Sequence, residues 1–343
     1  MRTATPSTAR AINDRLALDL LLDRGPLTAP QVRTLTGLSR PTVSDLIERL
    51  QANGLIEVTG ESGGDRRGPN ARLYGIVADR AHVAGVDVRR DSVHVTVADI
   101  TGRTVGSVVR EPAEDLPALV ATAVAAASGP LALHAVVIGA PGMVDPRTGD
   151  LAGLNDVPGW RLNTLGALRE RMNVPVVLEN EVNLAAIAEH RAGAAAGRSD
   201  FVLFWLDDGI GAAVVLDGRL RRGMSGGAGE IGYLPVSGER LCDVLEGETM
   251  PRLPIDELAR RVAEGVFAAV AVLDPGLVVL AGAAGRAGGE ELAALVERRL
   301  SGMGPVPVAV RATGISDNPV LKGAVMTALS MARDDVFGAP ALS

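Results

Sequence analysis

Two stretches of this chain repeat one device. Val83 to Val97 and Phe201 to Val215 each run as an apolar segment, a tight polar turn and a second apolar segment. A further turn follows each, Thr101-Gly102-Arg103 in the first and Asp217-Gly218-Arg219 in the second. Apolar β-rich runs flanking a short polar turn are the pattern of a β-hairpin. Around these hairpins β-like runs alternate with Ala/Leu-rich helical runs, which is an α/β pattern. An α/β unit opened twice by the same hairpin, about 118 positions apart, points to two similar halves with a cleft between them.

The residues ahead of the first hairpin have a different texture. Ala11 to Leu22 places Ile12, Leu16 and Leu20 at helical spacing, and Gly25-Pro26 stops the run. Thr28 followed by Gln31 reads as a capping box, with Leu27 and Val32 placed as a hydrophobic staple. That short helix ends near Thr36-Gly37. Ser39 then caps a second one, with Pro41 in its first turn and Val43, Leu46, Ile47 and Leu50 as its buried stripe. Two strand-like runs follow, Leu55 to Val58 and Arg72 to Ile76, around a Gly/Arg-rich tip from Glu61 to Asn70. Two short helices, a Gly-containing turn and a hairpin in this order spell a winged helix-turn-helix.

Charge follows the same boundary. Residues 1–76 hold ten Arg against eight Asp and Glu, a net of +2, while the remainder is −9. A mildly basic module on an acidic body suits a small DNA-binding domain attached to a larger one. Ser39, Arg40, Thr42 and Ser44 are the expected major-groove residues, and Arg49, Arg66 and Arg67 the expected phosphate contacts. Asp45 on the same helix dissents, being an acid that would approach an anionic duplex.

Other classes are excluded by what the chain lacks. Cys242 is the single cysteine, which rules out an internal disulfide framework and a multi-cysteine zinc site. No apolar run reaches the roughly 18–20 residues of a membrane span, and Met1 to Ala11 has no apolar core like a signal peptide's. A reducing, cytoplasmic setting is the expectation. His82, His94, His134 and His190 are scattered and form no ligand pattern.

Within the body, several segments sit where cleft loops belong. Val136 to Ile138 runs into Gly139-Ala140-Pro141-Gly142-Met143-Val144-Asp145. Val174 to Leu178 ends at Glu179-Asn180-Glu181, which opens a helix over Asn183 to Arg191. Polar residues at the C-terminal end of such a strand lie in the crevice that binds ligands in α/β sheets. Gly226 to Tyr233 is a Gly-rich loop carrying Glu230 and the Tyr233 phenol.

Taken in order, these segments resemble the ROK family of bacterial sugar kinases and sugar-responsive repressors. Thr36 to Ile56 is similar to the repressors' N-terminal module. Ile138 to Asp145, Leu178 to Glu189, Gly209 to Val236, Leu273 to Gly282 and Asn318 to Gly338 resemble the body motifs. The resemblance implies a winged helix-turn-helix over 1–77 and an actin-like (sugar kinase/ribonuclease H-like) two-lobed body over 78–343. Lobe 1 would span about 78–190 and lobe 2 about 191–320, with a C-terminal helix, about 318–338, returning to lobe 1. It further implies a homodimer or tetramer and a sugar held between the lobes by Asn155, Asn180, Glu181, Glu230, Tyr233 and Glu246.

This chain departs from the kinases at the positions that carry phosphate. Their first hairpin reads Asp-x-Gly-Gly-Thr; here Asp87 is followed by Arg89, Arg90 and Asp91. Their second phosphate loop reads Gly-Thr-Gly; here it is Asp207-Asp208-Gly209. Side chains at these positions block the close backbone approach that glycine permits. The kinases' catalytic Asp is replaced by Glu181, and misplacing a base by about 1 Å can cost about 100-fold. Tyr233 stands where the family's zinc-binding His belongs, and only Cys242 remains of its cysteines.

These residues lead to the expectation of a DNA-binding regulator, a repressor with a sugar or sugar-derived effector. It would hold no ATP and no zinc and carry no catalysis. Its partners would be a double-stranded operator and a sugar, or a sugar phosphate if Arg89 and Arg90 bind one. Two alternatives stay open: a ligand-independent DNA-binding or scaffold protein with a relic cleft, and an ATP-dependent sugar kinase with unusual loops.

Overall fold

The computed structural model describes residues 6–62, 71–153, 155–236, 238–245, 247 and 249–338. Its first unit is built from α1 (Pro6–Arg24), β1 (Leu27–Thr28), α2 (Ala29–Thr36), α3 (Arg40–Ala52), β2 (Ile56–Ser62) and β3 (Ala71–Ile76). Both halves of the capping box form: Gln31 N donates to Thr28 Oγ1 at 3.4 Å and Thr28 N donates to Gln31 Oε1 at 2.8 Å. Gly37 ends α2 with φ +70°, a left-handed conformation that turns the chain sharply into α3. Ser39 caps α3 by accepting from Thr42 N at 3.4 Å. Val43, Leu46, Ile47 and Leu50 are buried in one core with Ala17, Leu18 and Leu21 of α1.

Leu27 and Thr28 do more than open α2. They form β1, pairing Leu27 with Tyr74 and Thr28 with Leu73, so the wing belongs to a three-stranded sheet ordered β1-β3-β2. Two extended residues beside the open edge of β3 satisfy backbone groups that would otherwise face no partner.

The body opens with β4 (His82–Val88), β5 (Val93–Asp99), β6 (Thr104–Arg110), α4 (Leu116–Ser128), β7 (Leu133–Ala140), α5 (Thr164–Met172), β8 (Val176–Asn180) and α6 (Glu181–Ala192). Its second half contains β9 (Phe201–Leu206), β10 (Ile210–Leu216), β11 (Arg219–Arg221), the short pair β12 (Pro235–Val236) and β13 (Glu239–Arg240), α7 (Leu241–Val244), α8 (Ile255–Leu273), β14 (Leu277–Ala281), α9 (Gly282–Met303) and β15 (Ala309–Ala312). The chain closes with α10 (Pro319–Phe337).

The two halves share one topology. The first sheet is ordered β6-β5-β4-β7-β8 and the second β11-β10-β9-β14-β15. In each, the hairpin strands pair antiparallel and the next two strands are parallel. The repeated hairpins of the sequence are therefore the same three edge-side strands of two equivalent sheets. One core lies between the first sheet and α4 and α5, and another between the second sheet and α8 and α9. A third core, around α6 and α10, joins the facing sides of both sheets and runs on into the winged helix.

Close approach fixes α10 in that layer. A Cβ on Gly323 would lie 1.9 Å from the carbonyl oxygen of Leu184 in α6, and one on Gly139 would lie 2.7 Å from side-chain atoms of Val320 and Leu184. Where the chain crosses between the halves, buried Glu189 accepts hydrogen bonds from the backbone N–H groups of Ala194, Gly314 and Ile315 and from the Thr313 hydroxyl. Both crossings are thus tied to one carboxylate at the end of α6.

Candidate functional site: an interlobe cleft and the exposed start of α3

The C-terminal ends of β4, β8 and β9 converge on a cleft between the two sheets. Asn180 ends β8 and caps α6, its Oδ1 accepting from Val182 N at 2.9 Å and Asn183 N at 3.1 Å. Its amide nitrogen donates to Gly142 O at 3.1 Å and to Glu181 Oε2 at 2.9 Å. Asn180, Glu181, Asn183, Trp205, Gly226 and Glu230 are among the residues that line an inner chamber of about 100 Å³. An outer chamber of about 370 Å³ continues from it, bounded by Asp87, Arg89, Asp91, Trp205, Asp207 and Asp208 among others. Glu181, Trp205 and Gly209 belong to both.

Burial pushes the Glu181 carboxyl up to about 8, and the negative charges of Asp87, Glu230 and Asp207 add to that. Burial also raises Glu230. At neutral pH Glu181 therefore keeps its proton and presents both a donor and an acceptor to the inner chamber. The sign for stability follows. From the ordinary carboxylate range up to about 8, the folded state holds a proton that the unfolded chain has released. Thermal stability is therefore expected to fall as pH rises through that window. Melting curves from pH 5 to 9 should show the decline, and Glu181→Gln should flatten it; an unchanged slope in that variant would place the titration elsewhere.

The charged residues around the outer chamber find partners within the chain. Asp87, buried at the end of β4, accepts from Arg89 Nε at 2.6 Å and from Asn318 Nδ2 at 2.7 Å. Arg90 is paired with Asp156. Asp207, at the end of β9, accepts from Ala283 N at 2.9 Å and so occupies the N-terminus of α9 with a carboxylate.

The cleft is also tied shut on one side. Glu179 of β8 is buried and accepts from Arg222 of the second half at 2.7 Å, while Asn183 donates to its other oxygen at 2.9 Å. Gly226, with φ +85°, lets its loop press on the first half, since a Cβ there would lie 2.0 Å from Val144 O. Glu179 is legible in the sequence as a polar residue at the end of a buried strand; its partner Arg222 is not.

Two of the expected sugar contacts lie apart from the chambers. Tyr233 lies in a single 3-10 turn, Ile231–Tyr233, is 69% exposed and lines neither chamber. Asn155 lines neither chamber either; it donates to Pro141 O at 2.8 Å and accepts from Val157 N at 3.2 Å, bracing the loop that follows β7. Glu246 lies outside the described residues.

At the other end of the molecule, Arg40, Ser44 and Asp45 are exposed on the first turns of α3, with Thr42 partly so. Ser39 Oγ and Thr42 Oγ1 are 2.8 Å apart, so the cap and Thr42 share a hydrogen bond. Arg49, an expected phosphate contact, has a partner within the module. Its guanidinium is held by both carboxylate oxygens of Asp14 on α1, with Nε to Oδ2 at 2.9 Å, and this ties α3 to α1. Arg66 and Arg67 lie outside the described residues.

The class this defines is a winged helix-turn-helix carried by an actin-like body of two equivalent lobes around a ligand-sized cleft. Residues 83–244 match the ROK family and residues 12–68 the MarR family. The chain thus carries a ROK family domain behind a MarR-type winged-helix domain.

Its similarities run to both branches of that family. The xylose repressor of Bacillus subtilis is 27% identical over 248 residues, 69% of this chain and 63% of the repressor. The DNA-binding transcriptional dual regulator NagC of Escherichia coli is 25% identical over 246 residues, 67% of this chain and 59% of NagC. The chain thus matches about three fifths of the length of these curated relatives. Among solved structures, a ROK family transcriptional regulator homologous to E. coli MLC protein superposes with TM-score 0.73 at 16% identity. The match covers 96% of this chain and 98% of that one, a likeness of fold. The ROK hexokinase of Thermus thermophilus gives TM-score 0.61 at 28% identity, over 74% of this chain and 99% of that one. Repressors and sugar kinases both stand among these relatives.

Proposed function

We propose that this chain is a sugar-responsive transcriptional repressor whose kinase-like cleft binds an effector and transfers no phosphate. The observation that carries this reading is the pairing of an exposed helix-turn-helix with a cleft whose phosphate positions are occupied by its own side chains. Arg89 sits on Asp87, and Asp207 holds the N-terminus of α9. Carboxylates at 207 and 208 would face a polyphosphate at short range, where like charges repel. These residues do not fit a bound nucleotide. Phosphoryl transfer depends on positioning and electrostatic stabilisation, and these carboxylates work against the second.

The family's zinc does not fit either. Tyr233 and Cys242 offer one phenol and one thiol, and burial and Asp243 raise the thiol further. Among the described residues no three His, Cys, Asp or Glu side chains are grouped to hold a metal ion. A structural zinc takes about four such ligands.

Signal transfer has a physical route. α10 has 19 residues and so runs about 28 Å at about 1.5 Å per residue. At its start Asn318 caps the helix through Leu321 N at 3.0 Å and donates to Asp87 in the outer chamber. At its end Asp334 and the Gly338 carbonyl accept from Arg15 Nη1 of α1, at 2.8 and 2.6 Å. Asp14, the neighbouring residue of α1, holds Arg49 of α3. An effector that draws Asp87 or Asn318 toward itself would shift α10 and, through α1, the recognition helix. It does so only if it binds the two arrangements with different affinity. In the operator-bound form, two copies of the chain would set the spacing of two winged helices on a palindromic site.

The test is capture of genomic fragments by the full chain with and without a sugar panel, at fixed salt. A specific fragment released by a sugar is the expected result, and capture of no fragment above background would remove the reading. Arg15→Ala should keep sugar-free operator affinity within a few-fold, since the pair it breaks is partly exposed. The release by sugar should be largely lost in that variant; full release would take α10 out of the route.

A further inference from the structure

We propose that β6 is an interface between two copies of this chain. The strand pairs with itself, antiparallel, about a two-fold axis through Ser107, and joins two five-stranded first sheets into one. The contact uses the outer edge of the first lobe and no residue that lines either chamber of the cleft.

Its first ground is an edge left open. β6 ends the order β6-β5-β4-β7-β8, so among the described residues no strand pairs with its outer side. Edge strands are ordinarily blunted by shortness, charge or a covering group, because their free N–H and C=O groups invite another strand. The other three outer strands of the body are blunted in these ways. β11 has three residues and reads Arg-Leu-Arg, and β15 has four with Arg311 exposed. On β8, Arg169 of α5 donates to the Val176 carbonyl at 3.2 Å. β6 has seven residues, with no charged side chain and no proline over 104–109. At its far end Arg110 donates to the Val109 carbonyl at 2.9 Å, an exposed contact that leaves the middle of the strand open.

Self-complementarity gives the second ground. Val108 packs on the first-lobe core, and a Cβ on Gly106 would lie 2.1 Å from the Ala127 carbonyl oxygen in α4, so these two face inward. Alternation puts Val105, Ser107 and Val109 on the opposite face, where Val105 is 37% and Val109 57% exposed. A two-fold axis normal to the sheet keeps each face on its own side, so the pairing must centre on a residue and not between two. Centred on Ser107, it sets Val105 of each copy opposite Val109 of the other, and Arg103 opposite Glu111. Arg103 is exposed beyond its bond to Asp99, and Glu111 is exposed as well. A centre at Gly106 would set Arg103 against Val109, and one at Val108 would set Val105 against Glu111. The Ser107 register matches apolar with apolar and acid with base, each twice by symmetry. The register with β5 skips Val105, so the bulge lies at one end and 106–110 run regularly past the axis.

Disulfide trapping and sedimentation of the full chain, without DNA, test the interface. In a Cys242→Ser background, Ser107→Cys would bring two thiols onto the axis, their Cα atoms about 4.5–5.5 Å apart and within the span of a disulfide. Covalent dimers are expected under mild oxidation. Arg110→Cys in the same background should give none, since each copy of that residue would lie about 20 Å from the other. Sedimentation of the unaltered chain should show a reversible dimer. Val109→Lys, at an exposed position, should weaken it by about tenfold with the melting temperature unchanged, because one substitution strikes two cross-strand pairs. Equal trapping of the two cysteines would mean random collision and would overturn the pairing. A chain that stays monomeric, a dimer that Val109→Lys leaves intact, or no trapping through Ser107→Cys would overturn it as well.

Discussion

Arg40→Ala is expected to weaken operator binding by about 1–3 kcal/mol, or about 5- to 150-fold, and to relax base preference at one position of each half-site. Arg40 is exposed on the first turn of α3, immediately after the Ser39 cap, where recognition helices bring their N-terminal residues to base edges. An arginine there can meet a guanine with two hydrogen bonds, which gives it leverage that a phosphate contact lacks. Fluorescence anisotropy with an operator series carrying single substitutions checks both parts. A uniform loss across all sequences would mean that Arg40 contacts phosphate; no loss on any duplex would mean that α3 does not lie in the groove. Arg49→Ala should behave differently. It removes the tie to Asp14, so its effect should appear first in thermal stability and only through that in DNA affinity.

Gly323→Ala is expected to be among the most damaging single methyl additions in the body. An added Cβ would lie 1.9 Å from the Leu184 carbonyl oxygen, a backbone atom that cannot swing aside. Overpacking of a well-filled core costs about 1–3 kcal/mol and occasionally more, and this site belongs at the upper end because α6 and α10 must move apart to admit the methyl. The helices also carry the Asn180 cap beside the inner chamber at one end and the partner of Arg15 at the other. Chemical denaturation should show a lower midpoint, and any folded fraction should bind the operator with a diminished sugar response. A variant with unchanged stability would show that α10 can shift away from α6 at little cost, and the rigid-helix route from cleft to winged helix would fail with it.

Much of this was legible in the residues. The caps at Thr28 and Ser39, the turn at Gly37 and the stripe of α3 are local signals, and each formed as its chemistry requires. The hairpins at 83 and 201 gave the duplication because strand patterning is also local, and the matching sheet orders follow from it. The side-chain partners were not legible in the same way. Arg49 reads as a free cation on a DNA-facing helix until the fold puts Asp14 beside it, 35 positions back along the chain. Tyr233 occupies a position where the family has a sugar contact, but its turn points it to solvent. Glu179 and Arg222 meet across the lobes from 43 positions apart, and Asn318 reaches Asp87 across 231.

By itself, then, the sequence determined a winged helix-turn-helix and a duplicated α/β body, and it marked positions 89, 90 and 207 as unlike a kinase's. Those properties depend on short-range periodicity, capping and the presence or absence of a side chain, all of which are written in order along the chain. The tertiary structure decided what each charge is for. It placed Arg89 on Asp87, Asp207 on the start of α9 and Arg15 on the end of α10, and in doing so linked the cleft to the DNA-binding unit. The reason is that a charged side chain's role is set by the partner within about 4 Å of it, and folding brings that partner from anywhere in the chain.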